Sequence, residues 1–401
     1  MNITRRPRLP AAVQAAALLL TPLAALAQQG SGDGVTLYGR VDMFVGQDKN
    51  NQGASNGTQL KVADSGGLSG SRFGVRGSES LGGGWRARFV LEQGINLDDG
   101  SLAQGGRSWG RQATIGVSGP YGSLDAGRRE SAYYDFRNGF VAIITTAAFD
   151  PVGVVFTEAN TGRVTVSAGV RTSDTNTTSG NIANTAIDGT SASAPGDYTT
   201  RLDNYLHYES PRIGPVQLAV GVVMPEDRRT VAGTRGDGTG VLSASVNLRG
   251  GDWRVSLATQ REKYRTSITG AGVAQGRAEK NLTALGVGYD FGFMRVAAFV
   301  NDDEFVAVNG TKEKAREWAA GVTVPVGAFS IDAMLAEGKI KGVAQKTSGF
   351  GLVLRYDLSK RTDLYAGHRS NRDDNSPTTG ATVRTARVKD TLTGVGIRHR
   401  F

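Results

Sequence analysis

The chain has 401 residues, a formal net charge of +9 at pH 7 and no cysteine. Disulfide bonds and thiol chemistry are therefore excluded, so a core, oligomerisation or a membrane must hold the fold together. Three histidines offer little material for a metal site, and we expect neither a metal nor a cofactor.

The first 27 residues have the pattern of a secretory signal peptide. Three arginines within the first eight residues precede an apolar stretch at 9–26, which ends in Ala25-Leu26-Ala27, a small-x-small cleavage pattern. A membrane-anchor helix is the alternative, but the two prolines in the stretch argue against it. We therefore expect cleavage after Ala27 and export of residues 28–401.

The exported part shows alternation rather than long apolar runs. No segment approaches the ~18 consecutive apolar residues of a membrane helix. From Val35 to Val45 the odd positions are apolar or glycine, whereas the even positions include Tyr38, Arg40 and Asp42. Similar alternation recurs in segments 72–76, 85–92, 112–118, 253–257 and 317–324. A strand with one apolar and one charged face needs a different solvent on each side, which predicts transmembrane β-barrel strands.

Two kinds of connection separate the predicted strands. Seven are short and rich in turn residues: 81–83, 119–122, 211–215, 250–251, 290–292, 325–327 and 359–361. Eight are long and polar: 47–69, 96–108, 131–200, 224–239, 263–279, 302–314, 339–347 and 372–389. These connections predict an all-β fold, a single 16-stranded antiparallel transmembrane β-barrel with short periplasmic turns and long extracellular loops. Closure of the barrel leaves no unpaired strand edge in lipid.

A soluble, secreted β-sandwich such as a lectin is the alternative fold, because its strands also alternate in polarity. Such sandwiches are built with Greek-key crossings between two sheets. The regular succession of one short and one long connection instead fits a meander, in which each strand pairs with the next. We therefore favour the barrel.

Five segments in consistent order resemble the general porins of β-proteobacteria. They are 35–42 (VTLYGRVD), 71–84 (SRFGVRGSESLGGG), 122–128 (GSLDAGR), 356–362 (YDLSKRT) and 394–401 (GVGIRHRF). The resemblance implies a 16-stranded homotrimer in the outer membrane, in contact with lipid and lipopolysaccharide, with a third extracellular loop folded into the pore. It also implies that Phe401 is an assembly signal, read by the barrel-assembly machinery.

The interval 131–200 departs from that family pattern, because it holds its own alternating piece at 163–171. Either the inward-folding third loop carries a hairpin insertion, or the barrel has 18 strands. The Ser/Thr/Asn/Gly-rich stretch 172–197 is typical of loop. We therefore interpret 131–200 as the third loop with an insertion.

The candidate site is a ring of fixed charges around a water-filled constriction. Strand parity places most of the candidate arginines in the lumen, since an arginine facing lipid costs about 2–4 kcal/mol. Arg128 falls in phase with Leu124 and Ala126, yet the resemblance implies that it turns inward. The basic side of the predicted constriction comprises Arg40, Arg72, Arg76, Arg88 and Arg128. The acidic side, on the third loop, comprises Asp135, Asp150 and Glu158.

These patterns predict passive diffusion of ions, anions preferentially, and of small hydrophilic solutes, with no catalytic residues and no nucleic-acid partner. A substrate-specific channel of the same fold is the alternative. An outer-membrane enzyme would need a nucleophile and a base, and no such grouping can be assembled from the sequence. Plugged transporters and autotransporters need a further domain before the barrel, whereas the first predicted strand already starts near Val35.

Overall fold

The computed structural model describes residues 33–50, 57–63, 66–141, 148–152, 201–226, 230–231, 234–235, 237–238, 240–263, 268–269, 273–274, 279–306, 312–341, 346–374 and 388–401. The predicted signal peptide, the alternating piece at 163–171 and Glu158 lie outside these residues. Within them, almost the whole chain forms one antiparallel sheet.

Sixteen strand positions make up this sheet. The first six are β1 (Gly34–Asn50), β2 (two segments, Gly57–Ala63 and Arg72–Gly82), β3 (Trp85–Gly94), β4 (Gln112–Gly119), β5 (Gly122–Glu130) and β6 (Arg201–Glu209). The next five are β7 (Val216–Val223), β8 (Gly240–Gly250), β9 (Trp253–Lys263), β10 (Glu279–Asp290) and β11 (Arg295–Val306). The last five are β12 (Lys312–Val326), β13 (Phe329–Ile340), β14 (Lys346–Asp357), β15 (Thr362–Asp374) and β16 (Val388–Arg400).

The sheet closes on itself. β1 pairs with both segments of β2 on one side and with β16 on the other, from Arg40 opposite Arg400 to Asn50 opposite Asp390. β5 pairs directly with β6, so no strand lies between these two in the sheet. The prediction of a closed 16-stranded barrel is confirmed, and the 18-stranded alternative is excluded.

Outward-facing side chains are apolar and exposed. Leu37 on β1 and Ile115 on β4 are 58% and 69% exposed, as expected for side chains that contact lipid rather than a protein core. Among the described residues no helix is long and apolar enough to cross a membrane. Leu37 and Ile115 both lie on strands, so the apolar surface that they form belongs to the sheet.

The buried core lies inside the barrel. Helix α1 (Ala132–Val141) follows β5 and packs on the lumen-facing side of β8 to β11. Its Phe136 meets Phe299 of β11 edge to face, with ring centroids 6.5 Å apart. Phe140 rests on Gly286 of β10, where a Cβ atom would lie 2.8 Å from the ring. The apolar face of α1 is thus buried against the inner wall.

Candidate pore constriction

Three arginines lie directly opposite one another on the lumen face of adjacent strands. In the sheet register, Arg40 of β1 pairs with Arg72 of β2 and with Arg400 of β16. Like charges placed directly opposite in a sheet repel each other. Such a row is tolerable where water and neighbouring carboxylates screen the charges. This arginine row is the basic centre of the site.

Two carboxylates partly neutralise the arginine row. Glu92 of β3 accepts a hydrogen bond from Arg111 Nε at 2.6 Å and lies 3.6 Å from Arg72 Nη1. Asp363 of β15 pairs with Arg400 Nη2 at 2.6 Å and with Arg398. Charge-assisted contacts of this kind are short and fix the orientation of each guanidinium. The arginines are therefore held in place despite their mutual repulsion.

A second charged network lies on β3 and β5. Arg88 binds Asp125 through two parallel hydrogen bonds of 2.9 and 2.6 Å. Arg129 contacts the same carboxylate at 2.9 Å and reaches Asp135 of α1, also at 2.9 Å. Arg129 thereby links the barrel wall to the helix inside it. Beside this network, Arg76 lies over the Tyr38 ring at 5.0 Å.

Arg128 takes the opposite face of β5 from the one that the family resemblance implied. Its register partner is Ala113, which alternates in phase with the exposed Ile115. Its guanidinium binds Asp203 Oδ1 at 2.6 Å and the Gly110 carbonyl oxygen at 2.7 Å. A bulge between β5 and β6 at this point leaves the parity of β5 unchanged. The lumen-facing arginine at this end of β5 is Arg129.

The acids predicted on the third loop have different surroundings. Asp135 pairs with Arg129. Asp150 is 4% exposed and its Oδ1 accepts the Val152 N–H at 2.8 Å, so it stabilises a turn instead of facing the pore. Burial raises the pKa of Asp135 to about 7; Arg129 opposes this rise, and nearby Glu130 and Glu209 add to it.

The wall opposite the arginine row is covered. The lumen-facing side chains that cluster with α1 and residues 148–152 include small and apolar ones: Ala258, Leu282, Ala284, Ala297, Phe299, Ala319, Met334, Ala336 and Val353. Tyr133 of α1 donates its hydroxyl to Asn301 Oδ1 at 2.5 Å, and Asn301 donates in turn to Glu317 at 2.7 Å. Helix α1 and residues 148–152 thus lie against this side of the lumen, and among the described residues the arginine row is not covered by α1.

A closed barrel narrowed from inside by a loop, with charges on its open side, is the architecture of a diffusion pore. The family model described as Gram-negative porin matches residues 14–376. The chain belongs to the Gram-negative porin family. It is accordingly an outer-membrane protein that forms a water-filled channel, and the family is one of channels rather than enzymes.

Individual relatives match along their whole length. The chain is 30% identical to an outer membrane porin protein of Bordetella pertussis over 96% of this chain and 98% of the relative. It is 27% identical to outer membrane porin protein 32 of Delftia acidovorans over 95% and 99%. In fold it is similar to an anion-selective porin from Comamonas acidovorans, with a TM-score of 0.71, 23% identity, and coverage of 92% of this chain and all of that one.

Four arginines of this porin site were not among the predicted constriction residues. They are Arg111, Arg129, Arg398 and Arg400. Arg398 and Arg400 alternate with the exposed Ile397, so strand parity alone could have placed them in the lumen. Arg111 precedes β4, where parity has no meaning, and no pattern in the sequence indicates its contact with Glu92.

Proposed function

We propose that this porin is an anion-preferring, trimeric diffusion pore for ions and small hydrophilic solutes. The observation that carries the proposal is the row Arg72, Arg40 and Arg400 on the open side of the lumen. Arg111 contacts Glu92, Arg398 contacts Asp363, and Arg76 lies over Tyr38, whose hydroxyl binds Glu92. The basic wall, as we name these six arginines, carries an excess of positive charge.

Such an excess acts on permeating ions because the lumen is narrow and its walls have a low dielectric constant. Field lines concentrate in a water-filled cleft of this kind and raise the local concentration of counter-ions. Screening in 0.1 M salt extends over about 10 Å, a length comparable with the separation of charges across a pore. Anions should therefore be enriched next to the basic wall, most strongly at low salt.

Two similar proteins support the finer points. The structure from Comamonas acidovorans is described as an anion-selective porin. OmpT of Vibrio cholerae, similar in fold with a TM-score of 0.59 and 12% identity, is described in a trimer form. We extend both properties to this chain.

We also assign Phe401 as the assembly signal; its backbone exchanges hydrogen bonds of 3.0 and 3.1 Å with Gly39 at the barrel seam.

The experiment that tests the proposal is a reversal-potential measurement on the double variant Arg40→Glu/Arg72→Glu in planar bilayers under a salt gradient. The change replaces two positive charges of the basic wall by two negative ones, a net change of four units. Each unit at ~10 Å in water is worth about 0.4 kcal/mol before screening. The permeability ratio of anion to cation should fall by about tenfold at low salt and by less at high salt.

Arg316→Glu is the matched control. Arg316 lies at the loop end of β12, where it pairs with Asp302 and is in phase with the exposed Trp318. Its reversal in charge should leave the selectivity at the parent value. If the double variant folds and retains the parent's anion preference at low salt, the basic wall does not line the ion path.

A further inference from the structure

Strand β2 is interrupted, and the interruption is folded around a buried carboxylate. Asp42 of β1 is fully buried. Its Oδ1 accepts the Gly67 N–H at 3.0 Å, and its Oδ2 accepts the N–H groups of Leu68 and Ser69 at 3.2 and 2.9 Å. Successive backbone N–H groups that converge in this way form a concave anion site. Here that site is filled by the protein's own aspartate.

A tyrosine that is distant in sequence also binds Asp42. The Tyr365 hydroxyl of β15 donates to Asp42 Oδ1 at 2.5 Å and accepts the Gly67 N–H at 3.0 Å. Residues 66–69 are therefore held simultaneously by β1 and β15. We call Asp42, Tyr365 and residues 66–69 the clasp.

The clasp contacts Ala148 and Phe149 of the predicted third loop. The Ala148 N–H donates to the Gly66 carbonyl oxygen at 3.3 Å. Phe149 packs between Phe44, at a centroid distance of 5.1 Å, and Tyr365, at 6.2 Å. A Cβ atom on Gly67 would lie only 2.7 Å from the Phe149 ring, so the fit is close. Residues 148–152 thus lie directly on the clasp.

We propose that the clasp fixes residues 148–152 inside the lumen, and that Asp42 and Tyr365 are positioning residues for the pore constriction. Helix α1 anchors the third loop on β8 to β11, whereas the clasp anchors it near the barrel seam. A loop held at both places keeps a constant bore. A loop held only by α1 would fluctuate across the water path and make the ion current noisy.

The test uses the absence of cysteine in the parent chain. Val152 is fully buried beside the clasp, so Val152→Cys should react slowly with a small water-soluble methanethiosulfonate reagent. Asp42→Asn keeps the size of the side chain but turns an NH₂ group towards backbone N–H donors. In this background the thiol should react at least tenfold faster, and single-channel recordings should show increased current noise during the open state.

Asp332→Asn is the matched control for charge. Asp332 of β13 is also buried in the lumen wall, where it accepts a hydrogen bond from Thr323 Oγ1 at 2.6 Å. Its replacement removes the same unit of charge away from the clasp. Labelling of Cys at position 152 and the current noise should stay at parent values.

Tyr365→Phe provides a second, milder disruption. It keeps the ring that supports Phe149 and removes only the hydroxyl, so the labelling rate and noise should rise in the same direction but less. Parent rates and parent noise in both folded variants would overturn the proposal. It would also be overturned if neither variant folds, because the clasp would then be a requirement of the barrel rather than a device of the third loop.

Discussion

The two sides of the lumen obey the same strand parity and yet are built from opposite chemistry. On β1, β2 and β16 the inward positions include Arg40, Arg72 and Arg400, which lie opposite one another beside wall carboxylates. On β9, β10 and β11 the inward positions include Ala258, Ala284 and Ala297, all buried under α1. Both sides expose apolar residues to the outside. Parity therefore determines which residues point inward, and the third loop determines what they meet there.

The covered side of the lumen and helix α1 each bury apolar surface of the other. With apolar residues on both faces, β10 would otherwise expose Ala284 and Leu282 to water in the lumen. The aromatic face of α1 would equally lack a partner. Their contact buries both surfaces, including Phe136 against Phe299. The same strands thus resemble the fully buried strands of a soluble protein, although one face contacts lipid.

A buried carboxylate should distinguish the two sides most strongly. Ala284 is 1% exposed under the third loop, so Ala284→Asp would place an unpaired charge there at a cost of about 3–5 kcal/mol. We expect lower outer-membrane levels and a lower temperature for the heat-induced mobility shift in SDS gels. Ser78→Asp introduces the same group on the open side, where Ser78 already contacts Arg86 at 2.9 Å. That variant should behave like the parent.

Equal stability of the two aspartate variants would contradict the division of the lumen into a covered and an open side. Gly286→Ala offers a smaller change at the same place, since its Cβ would press on the Phe140 ring. Gly240→Ala, with open space around the added atom, is its control. Only the first should lower the temperature of the mobility shift.

The sequence predicted the barrel, its 16 strands and the inward direction of most arginines, because a period of two residues and turn-forming residues are local signals. The sequence could not predict which groups each charged side chain contacts. Asp150 looked like a pore acid, yet its carboxylate is buried against the Val152 N–H. The apolar inward positions of β10 were visible in the sequence, as Ala284 and Gly286, but parity alone gives no reason for them until a loop packs inside.

Arg128 and Arg129 show where a family resemblance and strand parity disagree. The motif ends at Arg128, so the resemblance implied that this arginine turns into the lumen. Parity placed it with Leu124 and Ala126, and the register with Ala113 agrees with parity. The following residue, outside the motif, carries the contacts to Asp125 and Asp135. Adjacent residues on a strand point to opposite faces, so only one of the two can face the lumen.

Neutralising each of these two arginines in turn tests which of them affects ion selectivity. Arg129→Gln removes one lumen charge and frees Asp125 and Asp135 from it, so the anion-to-cation permeability ratio should fall about twofold at low salt. Arg128→Gln changes a charge that binds Asp203 on the other face, and the ratio should not move. Reversal potentials in the same salt gradient measure both. If only Arg128→Gln changes the permeability ratio, Arg128 rather than Arg129 contributes to ion selectivity.

The smallest expected effect concerns pH, and it isolates the one acid of α1 that contacts the open side. Because the pKa of Asp135 is about 7, its carboxyl is mostly neutral at pH 5 and mostly charged at pH 9. The added negative charge beside Arg129 should lower the anion-to-cation permeability ratio by up to about twofold as the pH rises through 7. Asp135→Asn removes the titrating group and should make the ratio independent of pH in this range. If the asparagine variant keeps the full pH dependence, another group titrates near 7 and Asp135 does not cause the effect. If the parent shows the predicted decrease and the variant does not, α1 contributes to ion selection through this single side chain.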